Sequence, residues 1–399
     1  LFHDTIREKV AQVGITLQEI ADLISVNKST ISKFLKGEHE LKFELLHQLI
    51  SSLFPLDEQS KAFRETFLHL NNKRNIKCSL EYFYANRDME SLETLIKQKK
   101  EISKGDLKEL IYLYEIGLSL RKNSDQCTIK KLTEFIPSNN ESKLVHLIIL
   151  LFFYTHERVY KLIVNEFEHA NSLLSLIEDG YFKESLQNNV LWVFLNYHAY
   201  NNNQDEVFKI LDELNKRKTN HFIMGFCLHT KAMHYMWDNF KESYECYLDC
   251  IDFYSKIGSK EHVNYVKYEG LYLLIIHANK NYLIKDIENA PDFIKSYYYF
   301  KEGDAQKSRI LLDECKTRII EQNALDLLPY QFYIEGVLTE DNNYFWLSLY
   351  QFFAEGDLYN AKLPLMELKK TGLTDELIEH MMDIERKKML VHVFSPALS

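Results

Sequence analysis

Apolar residues near the start of the chain fall at helical spacing. From Thr16, the positions Leu17, Ile20, Ala21 and Ile24 share one face of a helix. Thr16 with Glu19 makes a capping box, so the helix begins there. Ser25-Val26 forms a tight turn, with Val26 plugging the core. Asn27 is a good N-cap for a second helix. That helix buries Ile31, Phe34 and Leu35 and stops at Gly37. Small Ala21 lets the two helices approach closely. Helices over Asp4–Val13 and Leu41–Phe54 complete a bundle, the latter turning Phe43, Leu46, Ile50 and Leu53 inward.

Beyond Phe54-Pro55 the pattern changes. Aromatic-rich helices recur, broken by short polar turns at residues 84–88, 120–125, 200–205, 237–240, 278–282, 300–304 and 354–357. Their intervals scatter about one helix hairpin, roughly 34 residues for a tetratricopeptide unit. The clearest unit runs from Phe222 to Ile257. Ala232, Tyr235, Asn239, Ser243, Tyr247 and Phe253 sit near its small and aromatic positions. The expected fold is all-α. A helix-turn-helix bundle of the Cro/C1 type covers residues 1–55 and a connecting helix or linker 56–77. A degenerate tetratricopeptide-like superhelix covers 78–372, and a capping or dimerising helix 373–399. The concave face of such an array normally holds an extended peptide. A scaffold without a ligand is the plain alternative.

Composition supports long helices, since 399 residues contain only 12 Gly and 6 Pro. The net charge of -10 is uneven. Residues 1–77 carry 11 Lys/Arg and 10 Asp/Glu, so the acidity lies in the remainder. An acidic protein meets DNA only through a local basic face. The apolar run Leu144–Tyr154 is shorter than the about 20 residues that span a bilayer, so a buried helix and no membrane partner are expected. Six cysteines without a C-x-x-C pair argue against a zinc knuckle. Cys246 and Cys250, one turn apart, read as small buried residues. Scattered cysteines and no signal sequence suggest a reducing cytoplasm.

The outward face of the second helix carries chemistry. Lys28, Ser29, Ser32, Lys33 and Lys36 form one stripe of donors without a carboxylate. Lysine suits guanine edges or phosphate, and serine suits bases or phosphate, so double-stranded DNA is the expected partner. Gln18 is placed to hold a phosphate. A solvated basic face is the alternative. Asn196, Asn201, Asn202 and Asn203 cluster at a turn-helix junction. Their amides suit either the backbone of an extended peptide or the turn itself. His221, His229 and His234 do not share one face, so no metal site is expected. Phosphate-loop, dinucleotide, zincin and nucleophile-elbow motifs are all absent, and neither an enzyme nor a cofactor is expected.

Segments spread over most of residues 50–372 carry a resemblance. They are "LFPLDEQSKAFRETFLHL", "KCSLEYFYANRD", "FKESLQNNV", "QFYIEGVLTED" and "GDLYNAKLPLMELKKTG". In order and spacing they resemble the arbitrium receptor family (AimR) of temperate Bacillus phages, peptide-sensing regulators with a tetratricopeptide domain. The amino-terminal module resembles the Cro/C1-type helix-turn-helix family, except that Ser25 stands where Gly is usual. The arbitrium resemblance implies a homodimeric transcription regulator that favours lysis until a short signalling peptide binds its repeat domain and silences it. It places Asn196 on an Asn that clamps peptide backbone, Asp357 on an Asp facing a peptide Arg or amide, and Tyr359 on an aromatic. Tyr200 and Met233 stand where the family has Asn, and Phe222 where it has Arg. A different peptide, with a more apolar contact on one side, is therefore expected. Ordinary core aromatics are the alternative reading of Tyr200 and Phe222. Leu377, Met381 and Ile384 share one stripe of the last helix, which the resemblance reads as a dimer contact. A host regulator of the same architecture, activated by its peptide, shares all these features.

Overall fold

The computed structural model describes residues 2–122, 126–157, 159, 162–217, 220–322 and 325–391. Among them every regular element is helical. The bundle consists of α1 (Phe2–Val13), α2 (Leu17–Leu23), α3 (Lys28–Leu35), α4 (Phe43–Leu53) and α5 (Leu56–Phe67). Thr16 and Glu19 form the reciprocal capping box. At the end of α3, Gly37 takes φ 75°. The N–H groups of Gly37 and Glu38 then donate to the carbonyls of Phe34 and Lys33 at 2.8 and 3.0 Å. These paired bonds close a helix at its carboxyl end.

One local expectation needs revision. Asn27 holds the N-cap position of α3 but makes no side-chain cap bond. Its side chain is exposed to solvent at the head of the helix. Ser25 is in the left-handed region at φ 55°. That explains why a glycine is the usual residue in this turn.

The array follows as α6 (Lys73–Ala85), α7 (Met89–Lys99), α8 (Asp106–Lys122), α9 (Gln126–Glu134), α10 (Asn140–His156) and α11 (Glu166–Ser175). Next come α12 (Tyr181–Tyr200), α13 (Gln204–Asn215), α14 (His221–Tyr235), α15 (Phe240–Lys256), α16 (Lys260–Tyr265) and α17 (Tyr272–His277). A π-helical turn, Val266–Leu271, joins the last two. The chain ends in α18 (Asp292–Lys301), α19 (Ala305–Gln322), α20 (Leu328–Thr339), α21 (Asn342–Ala354), α22 (Lys362–Lys370) and α23 (Asp375–Val391). The stretch 56–77 holds α5 and the first turn of α6. Residues 392–399 and part of the 120–125 turn lie outside the described residues. The apolar run Leu144–Tyr154 is buried within α10, and no described helix is long and apolar enough to cross a membrane.

Four of the polar turns share one design. A left-handed residue follows the helix, and an Asp or Asn after it accepts an N–H three residues on, at the head of the next helix or, for Asp357, over the turn that leads to it. Arg87 then Asp88, Asn202 then Asn203, Gly303 then Asp304, and Gly356 then Asp357 all follow it. The expected unit Phe222 to Ile257 is the hairpin of α14 and α15. Ser243 on α15 donates to the Ala232 carbonyl of α14 at 2.8 Å, which brings the two helices close. Gly225 makes the same approach possible one level away, because a Cβ there would lie 2.3 Å from the Tyr254 ring.

The apolar core has two parts. One runs without a break from Ile6 in the bundle to Cys227 in the array. The other runs from Ala232 to Met382. Their seam falls inside α14. The bundle is fixed to the first part by aromatic and polar contacts. Phe43 packs on Phe67 and Tyr181 at 4.3 and 4.5 Å between ring centres. Asn75 accepts from the Phe43 N–H at 3.0 Å and donates to the Leu41 carbonyl at 2.9 Å. Glu40 accepts from the N–H groups of Asn71 and Asn72. Buried amide pairs of this kind fix geometry, since leaving one unmade costs about 1–3 kcal/mol.

Candidate DNA-reading face and ligand cavity

Helix α3 buries Ile31, Phe34 and Leu35 against α1 and α2, and this sets what it turns outward. Lys28, Ser29, Lys33 and Lys36 are exposed and Ser32 is half-buried. Lys28, Lys33 and Lys36 have no ion pair among the described residues. Gln18, exposed on α2, donates one amide N–H to Asp22 at 2.9 Å on its own helix, and the group carries a second N–H that suits a phosphate. The face is short and basic, and apart from this pair it is uncommitted.

A cavity of about 960 Å³ opens along the seam between the two core parts. Asn196, Tyr200, Phe222, Met233, Asp357 and Tyr359 all line it. The size is at the upper end of small-ligand pockets, about 300–1,000 Å³. Asn196 is buried on α12 and donates through Nδ2 to the Trp192 carbonyl at 2.8 Å. Its Oδ1 accepts no hydrogen bond among the described residues. The rest of the amide cluster serves the turn. Asn201 donates to the Tyr197 carbonyl, Asn202 takes the left-handed place, and Asn203 caps α13.

Asp357 is buried and already engaged. It accepts from the Asn360 N–H at 2.9 Å and from the Asn360 Nδ2 at 2.7 Å. Tyr359 bridges the seam. Its N–H donates to the Tyr200 carbonyl at 3.1 Å, and its hydroxyl donates to the Met233 carbonyl. Burial pushes that phenol far above its ordinary pKa, so it stays a donor. Tyr200 and Phe222 are half-buried at the cavity wall rather than closed into the core.

Several lining residues carried no sequence signal for this role. Arg87, Arg121, Trp192, Tyr265, Glu261 and Glu269 are among them. The Arg87 guanidinium lies 3.7 Å from the centre of the Phe222 ring and 5.8 Å from that of Trp192. Burial lowers its pKa to about 9. The three histidines of α14 are separate. Burial holds His229 and His234 down to about 4 and lowers His221. His229 packs beside Tyr247, His234 beside Tyr359 and His221 beside Phe253. Cys246 and Cys250 are buried free thiols.

Leu377 and Ile384 on α23 are exposed. Met381, expected on the same stripe, packs partly onto the second core with Ile378, while Met382 is buried. The reason is the helical period. Residues 378, 381 and 382 face the array, which leaves 377 and 384 to solvent.

Comparison with known proteins gives a consistent set of similarities. A family described as AimR transcriptional regulator-like matches residues 59–370, and a helix-turn-helix family matches residues 6–58. The AimR transcriptional regulator of Bacillus phage phi3T is 22% identical over 389 residues, which are 93% of this chain and 97% of that protein. The solved structure of selenomethionine phAimR superposes with a TM-score of 0.69 at 19% identity, covering 96% of this chain and 100% of that one. The structure of phAimR with ligand gives 0.66 at 20% identity, covering 84% and 98%. At these identities the superpositions establish the fold: a helix-turn-helix bundle followed by a helical superhelix.

Proposed function

The chain belongs to the AimR family of transcriptional regulators, and on that premise we propose that it is a peptide-responsive DNA-binding regulator of a phage's choice between lysis and lysogeny. In this reading α3 enters the major groove, with Lys28, Ser29, Ser32, Lys33 and Lys36 as contacts and Gln18 on a phosphate. A short peptide occupies the seam cavity and stops promoter activation. Two copies pair through α23, with Leu377 and Ile384 at the contact and Met381 at its edge. Pairing suits DNA reading, because one small module binds weakly and two linked modules gain effective concentration. The domain division follows the same logic: a reader to residue 55, a connector to 77, a peptide-binding array to 372 and a pairing helix beyond. The host cytoplasm is where such a regulator meets both DNA and an imported peptide.

One observation carries the reading. Six residues lying between positions 196 and 359 converge on a single cavity. The family resemblance assigns all six to the peptide, and the amide chemistry of Asn196 points the same way.

The test is a fluorescence titration of DNA from the region upstream of its own gene. Binding should fall steeply with salt, as phosphate contacts require. The double variant Lys28→Ala, Lys33→Ala should lose binding with its helical content intact. A double variant that binds as the parent does would remove α3 as the reading helix.

A further inference from the structure

The seam cavity has two electrically different ends. At one end stand Asp357 and Glu269, with Tyr200 and Tyr265 beside them. At the other stand Arg87 and Arg121, close enough that each charge opposes the other. Arg121 donates to the Tyr84 carbonyl at 2.8 Å and stacks 3.9 Å from the centre of the Tyr84 ring. The Arg121 charge also acts on the buried Glu81. Arg87 differs. Its guanidinium lies over the faces of Phe222 and Trp192 and makes no hydrogen bond or ion pair among the described residues. Glu261 lies nearby but makes no ion pair with it, and its field on Arg87 is weaker than that of Arg121. Arg87 is enclosed by protein on its flanks yet open to the water of the cavity.

Backbone geometry adds a second observation at this residue, one it shares with Glu340, which takes φ 57° before the capping Asp341 but does not line the cavity. Arg87 takes φ 58°. The equivalent turns put Asn202, Gly303 and Gly356 in that place, residues that accept the left-handed region readily. An arginine there is strained, and strained residues cluster at ligand clamps. The guanidinium is a planar fork of donors matched to a carboxylate, and stacking on an aromatic face leaves that fork free.

The geometry points to a carboxylate-binding subsite formed by Arg87 and Arg121, which takes the C-terminal carboxylate of the bound peptide. The peptide then runs with its carboxyl end at Arg87 and its amino end toward Asp357 and Glu269. This assignment rests on the peptide-receptor reading and deepens it. Phe222 acquires a role in it, as the surface that holds Arg87 flat.

The experiment uses the full chain and two probes: a randomised hexapeptide pool with free carboxyl ends, and the same pool amidated. Retained peptides are counted by mass spectrometry. The free-acid pool should be retained at least about tenfold better, the scale of losing a charge-assisted hydrogen bond. Arg87→Gly should abolish that preference while thermal stability holds or rises, because glycine relieves the turn. Arg87→Lys should recover only part of it, lacking the fork. Equal retention of both pools, or an unchanged preference in Arg87→Gly, overturns the subsite and leaves peptide binding standing. Retention of neither pool overturns the peptide reading and the subsite together.

Discussion

Single residues set the stability of this protein in ways that separate cleanly from its function. Ser25 holds a left-handed turn between α2 and α3 at φ 55°. A side chain there costs about 1–2 kcal/mol, part of which glycine returns as chain entropy in the unfolded state. Ser25→Gly should therefore stabilise the bundle by up to about 1 kcal/mol, read as a higher denaturation midpoint with DNA affinity unchanged. Glu81 makes a second case. It is fully buried and accepts from Tyr114, Ser185 and Asn189 at 2.6–2.7 Å. Burial outweighs those bonds and raises its pKa to about 7, above the ordinary 4.5. The folded state thus favours the protonated acid. Its contribution to stability is fully present below pH about 4.5 and is lost as pH rises through about 7. Glu81→Gln, which imitates the protonated acid, should flatten that decline. The check is urea unfolding of both proteins between pH 5 and pH 8, where the parent loses ground to the variant as pH rises. His229 and His234 act in the opposite sense, their stability lost as pH falls from about 6.5 toward 4. Comparing variant with parent cancels them.

At the level of elements, the turn that joins two helices has been used twice for different ends. Asp304 and Asp357 each accept an N–H three residues on at 2.9 Å, Asp304 at the head of α19 and Asp357 over the turn that precedes α22. Only Asp357 lines the cavity. Replacing either with alanine should cost stability on the scale of a lost cap, about 0.5–2 kcal/mol. Asp357→Ala alone should also weaken peptide binding by about tenfold or more. Calorimetry with a peptide recovered from the pool decides it, and equal affinities in the two variants would confine Asp357 to holding its turn. This pair also marks what the sequence discloses. Helix starts, stops and turns are local chemistry, so the capping box at Thr16, the stop at Gly37 and the turn at Gly356-Asp357 could be read directly. Five of the six cavity positions come from resemblance alone, and only Asn196 is also marked by its amide chemistry. Helical periodicity says that Phe222 and Tyr200 are half apolar in setting, but not that they meet across a seam. Arg87 was legible only as part of a polar turn. Its approach to Phe222, 135 positions later, is made by the superhelix and by no local pattern. Asn27 shows the converse: good capping chemistry goes unused where solvent reaches the helix end.

For the whole molecule, the position of the seam relates ligand to DNA. The reading bundle shares one core with the array up to Cys227, whereas α23 belongs to the core that begins at Ala232. The cavity lies where they meet, and Tyr359 ties them through the Tyr200 and Met233 carbonyls. On the proposed function, a ligand in that place acts on the angle between the half that would read DNA and the half that would pair. It shifts that angle only as far as it prefers one arrangement over the other. In a dimer joined through α23, the angle sets the distance between two copies of α3, and that distance must match the half-site spacing of the operator. The prediction is therefore specific to spacing. Titrations on operators whose half-sites are moved apart one base pair at a time should give one optimum without peptide and another with it, the dimer remaining intact by sedimentation. A uniform loss at every spacing, with monomers appearing, would mean instead that the peptide acts by breaking the pair. Tyr359→Phe removes the hydroxyl tie and keeps the ring, so it should broaden the peptide-free optimum even before any ligand is added.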